Sequence, residues 1–376
     1  MSKDLRVLQL GSGLFPSEIG GLERVTTQLA EVLPMEGVDL TSVVVTDTRA
    51  KDLPPNTQSA ARPGDSWYAR AMGLRRVVRA WKQGGATDLV SSHFAPYLLP
   101  VLPLLAGVPI VIHFHGPWAE ESLAAGSGKL GAAGKRAMEQ LAYRGRRGYV
   151  VLSSAFRDLL VEKYGVTQDL VHVVPGAVLD RMLVDVGDRQ TARDELGWSG
   201  VGLHLVTVRR LTPRTGVDRL IEAVATLPTV QLHVIGDGEM REALGQMAER
   251  IPNVHMVGSV SERELGLAFR AADLSVMPTI GLEGFGLSIL ESYSAGTPVL
   301  VTPIGGMPDI VTPLSPQLVM SDATTKSMRD SLKAVVQGDT TLPDATACRE
   351  HVRRYYTWSR AARTTADLYR ALILRG

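Results

Sequence analysis

Apolar runs rich in branched residues alternate with stretches of helical periodicity along this chain, and the series begins twice. No other feature narrows the fold as far. Residues 5–10, 41–46, 108–114, 149–153 and 171–175 read as strands, with a helix at 22–33. Such alternation builds βαβ units around a parallel sheet, with right-handed crossovers. The pattern then restarts: strands at 203–208, 231–235, 255–257, 274–277 and 299–302, helices at 217–226, 239–250, 261–271 and 287–295. Ser261 and Glu264 form a capping-box sequence at the start of one of these helices. Residues 175–200 carry little strand pattern and read as a linker with a short helix. The 376 residues also exceed the ~250–300 that a single core serves. The expectation is an α/β protein of two doubly wound, Rossmann-like lobes, residues 1–180 and 181–357. An amphipathic terminal helix, 358–376, packs back across the lobe junction. Ligands of such folds lie at the carboxyl ends of the strands, so a substrate is expected in the cleft between lobes.

Composition removes several classes. Lys+Arg 40 against Asp+Glu 39 leaves a net charge of +1, so no global field attracts nucleic acid. With 45% hydrophobic and 21% charged residues the chain is an ordinary globular one, neither disordered nor collagenous. Cys348 is the single cysteine and suits a reducing compartment. Met1-Ser2-Lys3-Asp4 runs straight into a strand rather than into a secretory h-region. The most apolar stretch, 98–112, is short for a membrane span and broken by Pro100, Pro103 and Pro109. The expected location is the cytoplasm, with peripheral contact at the inner face of the plasma membrane as a further option.

The glycines discriminate more finely. Gly11-Ser12-Gly13 follows the first strand, but Pro16 stands where a dinucleotide fingerprint needs its third glycine, and no acidic residue lies at the ~20-residue offset. A nicotinamide dehydrogenase is thereby disfavoured. Gly134-Lys135 is followed by Arg136, which breaks a phosphate-loop pattern, and no D-x-D pair is present for a metal-bound diphosphate. Gly20-Gly21 precedes the helix at 22–33, where two residues without side chains let a ligand approach backbone N–H donors. A plain loop-to-helix turn is the alternative reading.

The most specific segment is Glu283-Gly284-Phe285-Gly286-Leu287-Ser288-Ile289-Leu290-Glu291, closed by Gly296-Thr297-Pro298. Gly296 and Pro298 stop the helix, so it starts near Gly286, with Glu283 in the loop before it and Glu291 on its second turn. Gly284 and Gly286 bare the N–H groups at a positive helix end, which suits an anionic diphosphate. A carboxylate such as Glu291 suits the vicinal hydroxyls of a ribose.

Two glutamates seven residues apart around Gly-Phe-Gly-Leu, followed by Gly-Thr-Pro-Val, resemble the signature of glycosyltransferase family 4, whose members are retaining enzymes of the GT-B fold that use nucleotide-sugar donors. The resemblance extends along nearly the whole chain. It takes in Gly20-Gly21-Leu22-Glu23-Arg24, His113-Phe114-His115-Gly116-Pro117-Trp118, Pro175-Gly176 with Asp180, Gly236-Asp237-Gly238 and the segment from Trp358 to Tyr369. By that similarity Glu291 holds the donor ribose and Glu283 the donor sugar near its reacting carbon. The N–H groups of Phe285, Gly286 and Leu287 contact sugar or phosphate, and His115 faces the donor from the first lobe. Gly20 and Gly21 flank the diphosphate, Gly236 and Asp237 belong to the donor site, and the loop Val257-Gly258-Ser259-Val260 lies along the base. His93 and His113 read as structural. The resemblance implies no metal and no cofactor beyond the nucleotide-sugar co-substrate.

One departure matters. The family places an arginine and, some five residues later, a lysine on the donor diphosphate. Here the segment is Val208-Arg209-Arg210-Leu211-Thr212-Pro213-Arg214-Thr215-Gly216, so Arg210 matches the arginine while Thr215 replaces the lysine. Negative charge grows on the diphosphate oxygens in the transition state, and losing a fixed cation there costs about 10²–10³ in rate. Arg214, one residue away and planar, is the expected substitute, which makes Arg210 and Arg214 a clamp and Arg209 a bystander. Retention follows either from double displacement, for which no nucleophile is identified, or from front-face transfer in which the leaving phosphate takes the acceptor proton.

The acceptor side is less specific. Residues 66–83 read as a helix, and both 62–82 and 129–147 hold six basic residues against one acidic. Either stretch is a solvated face or a dock for anionic lipid. Acceptors consistent with these readings are a saccharide, a lipid-linked saccharide or phospholipid, or a small molecule such as a cyclitol or natural product. A nucleotide-sugar epimerase of the same fold and a non-catalytic two-lobed binding protein are the competing functions.

Overall fold

A computed structural model describes residues 4–15, 17, 21–85, 87–124, 126, 128–145, 147–178 and 187–374. The chain divides into two compact units, Met1–Gly176 with Trp358–Gly376, and Ala177–Thr357.

The first unit contains β1 (Leu5–Leu10), α1 (Gly21–Val32), β2 (Val38–Val45), β3 (Thr57–Ala61), α2 (Trp67–Gln83), β4 (Leu89–Ser92), β5 (Ile110–Phe114), α3 (Trp118–Ala124), α4 (Lys129–Ala142), β6 (Gly148–Val151), α5 (Ser154–Tyr164) and β7 (Val171–Val173). Its seven strands are parallel, in the order β3-β2-β1-β4-β5-β6-β7. Val7, Leu8 and Leu10 of β1, and Leu89 and Val90 of β4, are fully buried, as expected of central strands covered on both faces. Two strands escape the apolar pattern of the sequence. The edge strand β3 reads Thr-Gln-Ser-Ala-Ala, and β4 has only four residues, so neither is long or apolar enough to show a period. The order reverses between β1 and β4. Gly11 and His93 are the residues that follow these two strands, at the switch point where ligands of such sheets bind.

In the second unit, α6 (Arg189–Leu196), β8 (Leu203–Val208), α7 (Val217–Val224), β9 (Val230–Ile235), α8 (Arg241–Ala248), β10 (Val254–Gly258), α9 (Glu262–Ala271), β11 (Leu274–Met277), α10 (Leu287–Ser294), β12 (Val299–Val301), α11 (Met307–Val311), α12 (Thr325–Gln337) and α13 (Ala345–Tyr355) follow one another. The sheet order is β10-β9-β8-β11-β12, with reversal between β8 and β11. The capping box at α9 is present: Ser261 N–H donates to Glu264 Oε2 at 2.8 Å, and Glu264 N–H to Ser261 Oγ at 3.3 Å.

The terminal helix α14 (Trp358–Ile373) packs with the first unit. Its stripe of Trp358, Ala361, Ala362, Thr365, Ala366 and Tyr369 is buried. Tyr369 Oη lies 2.8 Å from His113 Nε2 on β5. Arg370 donates to the Glu36 carbonyl. Among the described residues no helix is long and apolar enough to cross a membrane.

Candidate active site

Several of the expected donor-site residues of the second unit lie beyond the carboxyl ends of its strands. Because β8 and β11 are neighbours, the first residue beyond β8 meets the loop beyond β11. That residue is Arg209. Its Nη2 donates to Glu283 Oε2 at 2.6 Å and to Thr279 Oγ1 at 3.0 Å, and its Nη1 lies 3.6 Å from Met277 Sδ. Only 8% of the Arg209 side chain and 16% of the Glu283 side chain is exposed, so the pair is largely removed from water. The Arg209 Nε–H is buried without a partner among the described residues.

The loop carrying Glu283 is held from three sides. Ile280 and Gly281 donate their N–H groups to the Arg214 carbonyl at 2.9 and 3.2 Å, and Arg214 Nη1 reaches the Leu282 carbonyl at 2.5 Å. The Glu283 carbonyl accepts from Gly306 N–H at 3.2 Å. Gly305, at φ +60°, packs so closely that a Cβ would sit 1.7 Å from that carbonyl oxygen. A side chain at 305 would displace Glu283. The same pressure acts at Gly236, at φ +132°, where a Cβ would lie 1.9 Å from the Arg209 carbonyl oxygen.

The remaining expected donor residues sit nearby in sequence order. Phe285 is 3% exposed and its ring lies 6.1 Å from that of Tyr356. Gly286 is the N-cap of α10, and Leu287 is its first residue. Glu291 stands half-buried on the second turn of α10. Asp237 is exposed, accepts from Gly238 N–H at 2.7 Å and pairs with Arg241 at 3.1 Å. Val260 packs against a core that includes Val206, Ile235 and Phe269. Of the expected cation clamp, Arg210 is exposed and its guanidinium has no partner among the described residues, while Arg214 is exposed but engaged with Leu282. Thr215 is 1% exposed, and its hydroxyl is shared between the carbonyls of Arg210 and Thr212 at 3.0 and 2.7 Å. The replacement of lysine is therefore structural in effect, because the threonine closes the turn onto itself.

Arg209 is the charged residue of these strand ends that sequence alone passes over. The spacing to Thr215 selects Arg210 and sets Arg209 aside, because the pairing of Arg209 with Glu283 depends on strands β8 and β11 becoming neighbours.

In the first unit, His115 follows β5 and is half-buried. Its Nε2 lies 3.0 Å from His93 Nδ1, and the His93 ring stacks between those of His113 and His115 at 4.1 and 5.2 Å. Burial, followed for His93 and His113 by the neighbouring rings, makes every proton costly here. His115 is pushed down to about 4, His113 to about 3, and His93 well below the ordinary value. All three are neutral imidazoles at pH 7. Gly21 opens α1, exposed, with no atom within 4 Å of where a Cβ would stand. Gly20 and Asp180 lie outside the described residues, as do Pro16 and Arg146. Glu139, on α4, caps α3, accepting from Trp118 N–H at 2.7 Å and Ala119 N–H at 3.3 Å.

The basic residues are partly committed to structure. Arg75 donates to the Pro100 carbonyl at 2.5 Å, Lys82 to the Leu104 carbonyl at 2.6 Å, and Arg136 pairs with Glu120. Arg76 and Arg79 are exposed on α2, which also exposes Trp67, Tyr68 and Met72.

Residues 188–354 match the family described as Glycosyl transferases group 1, and residues 19–179 match Glycosyltransferase Family 4. The D-inositol 3-phosphate glycosyltransferase of Nocardioides sp. is 30% identical over 332 residues, covering 79% of this chain and 70% of that one. The phosphatidyl-myo-inositol mannosyltransferase of Mycobacterium leprae is 24% identical over 377 residues, 95% and 94% of the two chains. Among solved structures, the Anabaena HepE protein in complex with UDP-glucose superposes with a TM-score of 0.75 at 18% identity, over 98% of this chain and 100% of that one. Two doubly wound parallel-sheet units are the parts of the GT-B fold. The chain belongs to glycosyltransferase family 4.

Proposed function

We propose that this glycosyltransferase moves a sugar from a nucleotide-diphosphate donor to a hydroxyl of a phosphorylated inositol, with retention of configuration and without a metal. The observation that carries the reading is the strand-end site of the second unit, where a buried, fixed Glu283 lies on a loop braced by Arg214 while Arg210 stands exposed and unpaired. Glu283 accepts from hydroxyls of the donor sugar, and Glu291 accepts from the ribose. The N–H groups of Phe285, Gly286 and Leu287 face the sugar or phosphate at the positive end of α10. Arg210, joined by Arg214 when it turns from Leu282, stabilises the charge that grows on the departing diphosphate. That phosphate takes the proton of the attacking acceptor hydroxyl, so attack and departure share one face. His115, neutral at pH 7, hydrogen-bonds the sugar without adding a competing charge. The donor class is supported by the UDP-glucose held by the Anabaena protein, and the acceptor class by the names of the two inositol-directed relatives.

A lipid-borne form of that acceptor is favoured by α2, which presents Trp67, Tyr68 and Met72 together with Arg76 and Arg79, a pattern suited to peripheral contact with an anionic membrane. The test is turnover with UDP-glucose or GDP-mannose and either D-inositol 3-phosphate or phosphatidylinositol vesicles, in EDTA and then with Mg²⁺. An α-linked glycoside formed equally fast in both buffers is expected. An epimerised donor without acceptor would support the epimerase reading instead. Failure of every donor to turn over would favour a binding protein.

A further inference from the structure

Arg209 and Glu283 form the most deeply buried ion pair among the described residues at the strand ends of the second unit. Three facts about it go together. The guanidinium spends Nη2 on Glu283 Oε2 and on Thr279 Oγ1. Thr279 is itself fully buried, and its carbonyl accepts from the Thr302 hydroxyl at 2.5 Å, so the arginine is braced against β11 and β12. Glu283 Oε1, by contrast, receives no donor from the described residues.

The turn that would otherwise bring a second fixed cation, at Thr215, is sealed by that residue's own hydroxyl. The chain thus carries a cation one residue before Arg210 instead, pointed at a carboxylate. A buried carboxylate with no counter-charge would both resist burial and repel an approaching diphosphate. Pairing removes both penalties. It also fixes how the carboxylate is turned: with Oε2 engaged at 2.6 Å, Oε1 is the oxygen without a donor from the described residues and is open to a ligand hydroxyl.

We propose that Arg209 is a positioning residue which cancels the charge of Glu283 and orients its Oε1 toward the donor sugar, so that it governs recognition of the sugar and not of the nucleotide. This rests on the nucleotide-sugar reading given above. Arg210, exposed and unpaired, takes the complementary part and serves the diphosphate.

The test is calorimetric titration of the full chain with UDP, UDP-glucose, GDP and GDP-mannose. Arg209→Lys keeps the charge but loses the fork that spans Glu283 and Thr279. It should weaken the preferred nucleotide sugar about tenfold or more, roughly 1.4 kcal/mol, while changing the matching nucleoside diphosphate less than about twofold. Arg210→Ala should weaken both alike. In a Glu283→Gln background, Arg209→Lys should change nucleotide-sugar affinity less than about twofold, because the partner it orients is gone. Circular dichroism melts exclude trivial unfolding, and the Glu283→Gln background removes the unpaired buried carboxylate that would threaten folding. Equal loss of nucleotide and nucleotide sugar in Arg209→Lys, or no loss of either, overturns the assignment. If the unaltered chain binds a nucleoside diphosphate tightly but gains nothing from the attached sugar, the role of Glu283 falls, and this assignment with it. If it binds none of the four ligands, the nucleotide-sugar reading itself is wrong.

Discussion

Acidification from pH 7 to pH 5 should weaken both units through buried neutral histidines, and His233 makes the effect measurable at a single site. The ring of His233 is 5% exposed, lies flat on Trp198 with 3.5 Å between centroids, and faces His204 with Nε2 3.2 Å from Nδ1. Burial, then the charges of His255 and His204, push it down to about 3. In the unfolded chain it titrates near the ordinary 6.5. A depressed folded value means that the unfolded chain takes up the proton first. The stabilisation is complete above pH 6.5 and drains away as the pH falls toward 3. At pH 5 the unfolded chain has gained about 2 kcal/mol from this one group. His113, 4% exposed and also pushed to about 3, adds a similar amount in the first unit. Against a total of roughly 5–15 kcal/mol that is a large share. Urea unfolding at both pH values, followed by tryptophan fluorescence, gives the loss directly. Carboxylates also titrate in this range, so the decisive quantity is the difference between the wild-type chain and His233→Gln. The variant should be less stable at pH 7 yet lose about 2 kcal/mol less on acidification. Identical losses in the two proteins would refute the reasoning.

Three further outcomes follow from the geometry. Gly305→Ala places a methyl group 1.7 Å from the Glu283 carbonyl oxygen, so the loop must move; kcat/KM should fall on the order of 10²-fold, and a wild-type value would show that Glu283 does not need this loop position. Tyr369→Phe leaves His113 Nε2 without its 2.8 Å partner in a buried site and should cost about 1–3 kcal/mol in urea unfolding; an unchanged midpoint would mean that the hydrogen bond does not hold α14. Thr215→Lys removes a buried hydroxyl shared by two carbonyls, so it should cost about 1–2 kcal/mol and bring no gain in turnover. A more active and equally stable variant would show instead that the turn can still receive a lysine.

Much of this protein is legible along the chain because its causes are local. Alternating apolar runs specify strands and helices, glycines mark where a loop must pass close to another backbone, and Ser261 with Glu264 caps α9 as their spacing requires. The segment from Glu283 to Glu291, bracketed by Gly286 and Gly296, places two carboxylates around one helix start, and the structure has that helix at Leu287–Ser294. The short β4 and the polar edge strand β3 were hidden because four buried residues or five polar ones carry no period.

The partnerships required tertiary structure, since they are set by strand order rather than by spacing. In Val208-Arg209-Arg210 the spacing to Thr215 singles out Arg210, and nothing there ties Arg209 to Glu283. Only the adjacency of β8 and β11 brings Arg209, 74 positions away in sequence, onto Glu283 and leaves Arg210 facing out. His93 is likewise silent in the sequence until β4 pairs with β5 and its ring slides between His113 and His115. Residue types and their local rhythm determine which elements form, and long-range packing determines which charges are cancelled, which protons are lost and which groups remain free for a ligand.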